Sequence, residues 1–500
     1  MKRSILLLIL LTLHLLPFAQ KARTLADTVA QFDTYVRKAM KDWEVPGMAI
    51  VVVRNGDVVF KKAYGTRELG SGKPVDDQTL FCCASTTKAM TAACMAILVD
   101  QGKVKWDDPV VKYLPGFKLY DSYVTRDLRV RDLFLHNTGV GNADFLWGNN
   151  TLNADEILEH MQWVKPTYPY RGGFIYQNIF YLVAGKLIEK VSGQTWEDFL
   201  TSNIFRPLGM NRTRTNIINL PDDNFSLPHF RIDGVVSPIS FDTADVIGPA
   251  GSVRSSINDI SLWVRCMIDS SKYSGGRLVK PATWNELLKP QNFVDENSFY
   301  PTARLTRPNF TTYALGWFQQ DYKGKKLNFH TGSLAGEIAI HGQIPELRTG
   351  VYIFANLDHA EMRHALMFRA LDQFALGVDR DWNSEFLALY SGMKKEMDKK
   401  TAEVASQRVP NTKPSLPLDA YTGTYEDPLY GTVRISVSQD QLLLSLNDRA
   451  TGKLEHWNFD SFQLVWDRKW YGKEYLSFHL GTDGKVSELL FGGVIFPNKK

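Results

Sequence analysis

From Ala84 to Val99 almost every residue is small or apolar, and no polar stripe runs along the segment. A helix without a polar face has no side to turn toward water, so other elements must enclose it. Ser85 and Lys88 stand near its start, three positions apart, and a helix would project them as neighbours from one face. An amine beside a hydroxyl in a water-poor site can serve as its proton acceptor, because burial disfavours the charged form. The helix N-terminus adds unpaired N–H groups that favour negative charge developing on a substrate oxygen. Alone, the spacing fits a helix cap and a solvated lysine better than a catalytic pair, so the rest of the chain must decide.

The chain has 500 residues, enough for two or three domains and a sizeable core. Its formal net charge of +4 supplies no basic patch for nucleic acid. Residues 1–22 read as a signal peptide: Lys2 and Arg3 precede the apolar run Ile5 to Leu16, then Pro17 and the small residue Ala19. Export, periplasmic or secreted, is therefore expected. No later segment is long and apolar enough to cross a bilayer, so the mature protein is expected to be soluble. Cys82, Cys83, Cys94 and Cys266 form no disulfide framework and read as buried free thiols.

Val29, Phe32, Val36 and Met40 recur at helical spacing between Thr28 and Trp43. Two β-rich runs, Gly47 to Val53 and Val58 to Tyr64, flank the hairpin dipeptide Asn55-Gly56. From Gly102 to about Ser240 the pattern is helical and loop-rich, with few strand signals. Strands are expected at Thr312 to Gln319, Lys326 to His330, Glu337 to Ile344 and Gly350 to Ala355, then a helix from about Glu361 to Leu376. The expected core is one antiparallel sheet flanked by helices, with a helical lobe inserted in sequence between its two halves. A polar helical stretch over 382–408 leads to a linker marked by Pro410, Pro414 and Pro417. Five further short strands between Thr432 and Phe491 predict a small β-barrel or sandwich. Trp457, Phe459, Trp466, Trp470 and Tyr471 are expected in its core.

Two more segments complete a possible site. Tyr176-Gln177-Asn178 precedes an apolar helix, and a tyrosine beside a lysine can relay a proton. His330-Thr331-Gly332-Ser333 stands at the end of an expected strand, where a substrate backbone could lie alongside and the Ser333 N–H could face an oxyanion. His136 reads as a loop anchor rather than a catalytic group.

With these residues in view, the sequence resembles the serine β-lactamase and penicillin-binding-protein superfamily, in its class C-like branch of esterases, D-aminopeptidases and serine peptidases. The resemblance spans about residues 25 to 380. Ser85-Thr86-Thr87-Lys88 matches the family's Ser-x-x-Lys, Tyr176-Gln177-Asn178 its Tyr-x-Asn, and His330-Thr331-Gly332 its Lys-Thr-Gly position. Val130-Arg131-Asp132-Leu133, Phe205-Arg206-Pro207-Leu208-Gly209-Met210 and Gly248-Pro249-Ala250-Gly251 match the surrounding context. The last module is similar to the lipocalin-like C-terminal domain of some members.

The resemblance implies an α+β fold with a β-barrel after it: signal peptide 1–22, hydrolase domain 23–380, linker 381–417 and barrel 418–500. It implies acyl transfer through a Ser85 ester, with Lys88 and Tyr176 sharing the proton work. Asn178, His330, Thr331, Gly332 and Ser333 would hold substrate or oxyanion, and neither metal nor cofactor takes part. His330 stands where β-lactamases and carboxypeptidases usually carry lysine, which points toward peptidase and esterase relatives. A peptidase is the leading expectation, acting on a small peptide or ester; the alternatives are a carboxylesterase, a β-lactamase or a penicillin-binding sensor without turnover. The sequence is silent on oligomeric state.

Overall fold

The computed structural model describes residues 24–148 and 151–499, and the expected signal peptide over residues 1–22 lies outside them. Helix α1 (Leu25–Trp43) starts at Thr24, whose hydroxyl accepts from the Asp27 N–H while the Asp27 carboxylate accepts from the Thr24 N–H. This reciprocal cap satisfies two donors that an α-helix leaves unpaired. Strands β1 (Gly47–Arg54) and β2 (Asp57–Gly65) follow, joined at Asn55 and Gly56 with φ of +55° and +91°. Positive φ at both central residues gives a turn whose twist matches the strands it connects.

The chain then leaves the sheet. It passes through helices α2 (Thr87–Asp100), α3 (Ile179–Ser192) and α4 (Ile257–Ile268) before returning in β3 (Asn292–Phe293), β4 (Thr311–Ala314), β5 (Trp317–Tyr322), β6 (Lys325–Leu334), β7 (Glu337–Ile344) and β8 (Thr349–Ala355). These strands make one antiparallel sheet in the order β2-β1-β8-β7-β6-β5-β4-β3. Within β1, Ala49, Val51 and Val53 feed the core shared with the helical lobe, while Met48, Ile50 and Val52 feed the core beneath α1 and helix α5 (Met362–Leu371). Both faces are covered, so β1 is apolar throughout. Helix α2 is buried continuously from Thr87 to Leu98, as its lack of a polar face requires. All four cysteines are buried and unpaired.

Three expectations about elements need correction. The run Thr312 to Gln319 is two strands, because the chain reverses at Leu315-Gly316, where Gly316 has φ +85° and faces the Lys88 and Ala89 backbone. His330 to Ser333 lie inside β6 rather than at a strand end, since pairing with β7 continues to Leu334 opposite Glu337. The helical lobe contains a hairpin, His229–Ile232 with Val235–Pro238, turned by Asp233-Gly234. Its short strands are half exposed, so no apolar run announced them.

Helix α6 (Trp382–Ser406) leads to a closed antiparallel barrel. Its strands are β9 (Gly423–Asp427), β10 (Gly431–Ser438), β11 (Gln441–Leu446), β12 (Ala450–Asn458), β13 (Ser461–Trp466), β14 (Lys473–Leu480), β15 (Val486–Phe491) and β16 (Val494–Lys499). Pairing of Thr424 with Lys499 closes the ring. Strand β12 has small inward residues, Ala450 and Gly452, and polar outward ones, which hid it from hydrophobic periodicity. Of the five aromatics expected in the barrel core, Trp466 lies there and Tyr471 packs on it. Phe459 is instead 57% exposed at a turn, and Trp457 is half-exposed between Tyr475 and Arg408. No helix among the described residues is long and apolar enough to cross a membrane.

Candidate active site

Ser85 sits in a single 3₁₀ turn (Ala84–Thr86) that runs into α2. The residue before it, Ala84, has φ +44°, an uncommon conformation for a side chain with a Cβ, held by the surrounding packing. Strand β6 passes directly behind this turn. A Cβ on Gly332 would collide with the Cys83 carbonyl oxygen, so glycine is what lets the strand approach the nucleophile turn. On the other side Arg254 and Glu337, both fully buried, form a two-pronged ion pair, and Glu337 also accepts from the Cys82 N–H at 3.3 Å.

Lys88 is fully buried, and its Nζ donates to three acceptors: Ser85 Oγ at 3.0 Å, Asn178 Oδ1 at 2.7 Å and the Ala250 carbonyl at 2.9 Å. Burial pulls its pKa down to about 7, against an opposing attraction from Asp144. Asn178 immediately precedes α3, and the Ala250 carbonyl comes from the Gly248-Pro249-Ala250-Gly251 turn, so three separate segments grip one amine. Tyr176 lines the cleft together with Ser85, and the Lys88 Nζ lies 4.9 Å from the Tyr176 ring centre. Burial holds Tyr176 well above the ordinary phenol range, against a smaller downward pull from the Ser85 hydroxyl, so it is a phenol and not a standing phenolate.

His136 anchors the Tyr176 loop. Its carbonyl accepts from Ile175 N–H and Tyr168 hydroxyl, its Nδ1 accepts from the Gln177 N–H, and its ring lies 4.3 Å from that of Tyr176. Thr331 and Ser333 line the cleft with Ser85, Tyr176 and Asn178, but His330 does not. The His330 ring turns into the protein: Nδ1 donates to the Thr331 carbonyl and Nε2 accepts from the Tyr313 hydroxyl. Burial lowers its pKa to about 3, so it carries no charge near neutrality.

The cleft, about 450 Å³, is walled by Trp147, Phe174, Phe299, Tyr300 and Phe318. Asp144 also lines it and was not anticipated from sequence. Its carboxylate accepts from Asn178 Nδ2 and Trp147 Nε1, each at 2.9 Å. The one available signal was a single acidic residue in the mostly apolar loop Val140 to Trp147. Buried Cys82 has its thiol pushed up to about 12, which leaves it inert as a rival nucleophile. Among the described residues no group of histidine, cysteine and carboxylate side chains could hold a metal ion.

The fold and this arrangement define a mixed α/β domain of the β-lactamase and transpeptidase type followed by a barrel. The Beta-lactamase family model matches residues 32–376, and a domain of unknown function, DUF3471, matches residues 407–492. The chain belongs to the Beta-lactamase family. It is 27% identical over 442 residues to the unguisins hydrolase ungD' of Aspergillus campestris, covering 83% of this chain and 78% of that protein. Protein flp of Staphylococcus aureus is 23% identical over 340 residues, 66% of this chain and 64% of its own length. Among solved structures, the octameric penicillin-binding protein homologue from Pyrococcus abyssi superposes with a TM-score of 0.61 at 23% identity, over 94% of this chain and 99% of that one. The D-amino acid amidase of Ochrobactrum anthropi SV3 gives 0.58 at 20% identity, over 71% and 99%. The relatives named as enzymes are hydrolases or amidases, and the family assignment supports a hydrolase.

Proposed function

We propose that the protein is an exported serine hydrolase that cleaves amide or ester bonds through a Ser85 acyl-enzyme, with peptides favoured over simple esters. The observation that carries this reading is the set of partners around Lys88 Nζ. An ammonium has three N–H donors and here meets three acceptors. Once the lysine is neutral it keeps two N–H groups, and the Asn178 and Ala250 oxygens can only accept them. The lone pair is then left facing the Ser85 hydroxyl, which both donates and accepts. A pKa of about 7 makes that state accessible near neutrality.

In this mechanism Lys88 takes the Ser85 proton as Oγ attacks the substrate carbonyl. The Ser85 and Ser333 N–H groups receive the oxyanion, and losing one such donor typically costs on the order of 100-fold in rate. Tyr176, a phenol that shares the cleft wall with Ser85, passes a proton to the leaving group and recovers it from Lys88. Water then hydrolyses the ester. The inward-turned, neutral His330 supplies no cation for a substrate carboxylate, which weighs against a dedicated β-lactamase or carboxypeptidase.

Fluorophosphonate labelling followed by peptide mapping tests the nucleophile, and a rate panel of D- and L-aminoacyl amides, short-chain esters and nitrocefin tests the bond. Label on Ser85 with turnover of amides is the expected result. Label elsewhere, or a penicillin adduct on Ser85 that never releases, would refute it. Sequencing the N-terminus of the protein recovered outside the cytoplasm tests export, with a new terminus expected near Ala19 to Ala22.

A further inference from the structure

On the cleft side, strand β6 loses its neighbour. Its pairing with β5 stops at Phe329 opposite Phe318, while pairing with β7 runs on to Leu334 opposite Glu337. Thr331 and Ser333 line the cleft along that open edge. The N–H proposed to receive the oxyanion belongs to Ser333, and the carbonyl of the same peptide unit belongs to Gly332. A peptide is planar, and a trans one, as all the described peptides are, points its carbonyl and its N–H in opposite directions. Whatever fixes the Gly332 carbonyl therefore fixes the direction of the Ser333 N–H. Glycine leaves its own backbone free to turn, so this peptide needs a hold from outside.

Arg363, at the start of α5, supplies one. Its Nη1 donates to the Gly332 carbonyl at 2.6 Å and to Ser333 Oγ at 2.8 Å, with a longer contact to the Ala339 carbonyl at 3.5 Å. Its Nε and Nη2 donate to the two Glu361 oxygens at 3.1 and 2.9 Å. That two-pronged pairing fixes the guanidinium plane, and both side chains are buried. Helix α5 packs in the core on the sheet face away from α2, so the peptide is held by an element separate from the nucleophile helix. An ion pair serving only its own helix would occupy Nε and Nη2. The placement of Nη1 on this one peptide is additional to it.

We infer that Arg363 sets the oxyanion site from behind: by gripping the Gly332 carbonyl it aims the Ser333 N–H into the cleft and, as a cation on the same peptide, makes that N–H a stronger donor. This rests on the serine-hydrolase reading and deepens it. The polarisation follows from the way hydrogen bonds in series strengthen one another at low local dielectric. A guanidinium suits the task because it stays charged at any pH the protein meets and carries enough donors to hold Glu361 and the peptide together. Arg363 does not line the cleft and meets no substrate, so it is a positioning residue that acts through Ser333.

The test uses the full-length protein and a fluorophosphonate, whose adduct on Ser85 puts a phosphoryl oxygen where the oxyanion forms. Two double variants remove the guanidinium without leaving Glu361 charged and alone: Glu361→Gln with Arg363→Gln, and Glu361→Leu with Arg363→Met. The second is included because apolar replacement of a buried ion pair is often neutral for stability. Labelling of Ser85 should slow by about tenfold or more in both, since losing an oxyanion donor outright costs on the order of 100-fold. The phosphorus NMR resonance of the adduct should also move toward its position in the unfolded adduct. Arg363→Lys, which keeps a cation but loses the fork, should show smaller changes of the same sign. Wild-type labelling rates in the folded variants, or slower labelling with an unmoved phosphorus resonance, would overturn the inference and leave Arg363 a structural ion pair. A wild-type protein that takes no label on Ser85 would instead refute the serine-hydrolase reading itself.

Discussion

The ring of Tyr430, in the first turn of the barrel, stacks on the ring of Phe145 with centroids 4.1 Å apart, and Phe145 follows Asp144 directly in the chain. The barrel grips the same loop a second time, where Arg449 donates to the Trp147 carbonyl at 3.1 Å. A third contact, Arg468 to Asp242 at 2.7 Å, ties the barrel to the helical lobe. The loop held in this way carries Asp144 and Trp147 into the cleft, so the barrel braces one wall of the candidate site.

Replacing Tyr430 with alanine should therefore act at a distance. An aromatic pair of this kind contributes about 0.5–1.5 kcal/mol beyond its buried area, so kcat/KM for an amide substrate should fall by up to about tenfold. Fluorophosphonate labelling of Ser85 should persist, because the turn beneath it is untouched. Unchanged kinetics in Tyr430→Ala would show that the barrel does not brace the cleft.

Ser85→Ala and Lys88→Ala should each remove nearly all turnover, by about a thousandfold or more, while circular dichroism stays that of the wild type. Retained rates in either variant would contradict the assigned chemistry.

The pH profile follows from Lys88. Its protonated form is inactive as a base, and burial lowers its pKa to about 7, so kcat/KM should rise with pH through an apparent pKa near that value. The same shift bears on stability. Above pH 7 the folded state sheds this proton while the unfolded chain keeps it up to about 10.4, so the Lys88 contribution to stability increases with pH across that window. A rate profile flat from pH 5.5 to 8.5 would argue against Lys88 as the base.

Gly332→Ala places a methyl group against the Cys83 carbonyl, and backbone cannot yield as a side-chain tip can. We expect a loss of about 1–3 kcal/mol from overpacking, with displacement of the Ser85 turn. Denaturant unfolding together with Ser85 labelling would measure both, and wild-type values for both would show that the strand has room to move.

Arg254→Leu leaves Glu337 buried without its cation beneath the nucleophile turn. Breaking a buried pair from one side typically costs about 3–5 kcal/mol, whereas Arg254→Leu with Glu337→Leu should recover part of it. Thermal melts of the single and double variants decide this, and an unchanged melting temperature in the single variant would refute it.

Local chemistry was legible from the chain alone. Asn55-Gly56 specified a hairpin through the φ values it tolerates, and the uniform apolarity of α2 required a buried helix. The order of Ser85-x-x-Lys88, Tyr176-x-Asn178 and His330-Thr331-Gly332 pointed to one site through the family resemblance that these motifs carry together. The split at Gly316 was hidden, since its cause is the approach of Lys88 and Ala89, which are more than 200 positions away. Strand β12 was hidden because a barrel interior accepts small residues there.

What only the tertiary structure decided is the electrostatic state of the site. The sequence names a lysine, a histidine and an aspartate without stating their surroundings. Folding buries Lys88 among three acceptors from separate segments, turns His330 inward against Tyr313, and brings Asp144 to the cleft beside Asn178. Desolvation and charge coupling depend on distances between residues far apart in the chain. Residue identity therefore determined which groups could titrate or bind, and packing determined which of them are charged, which are neutral and which face the substrate.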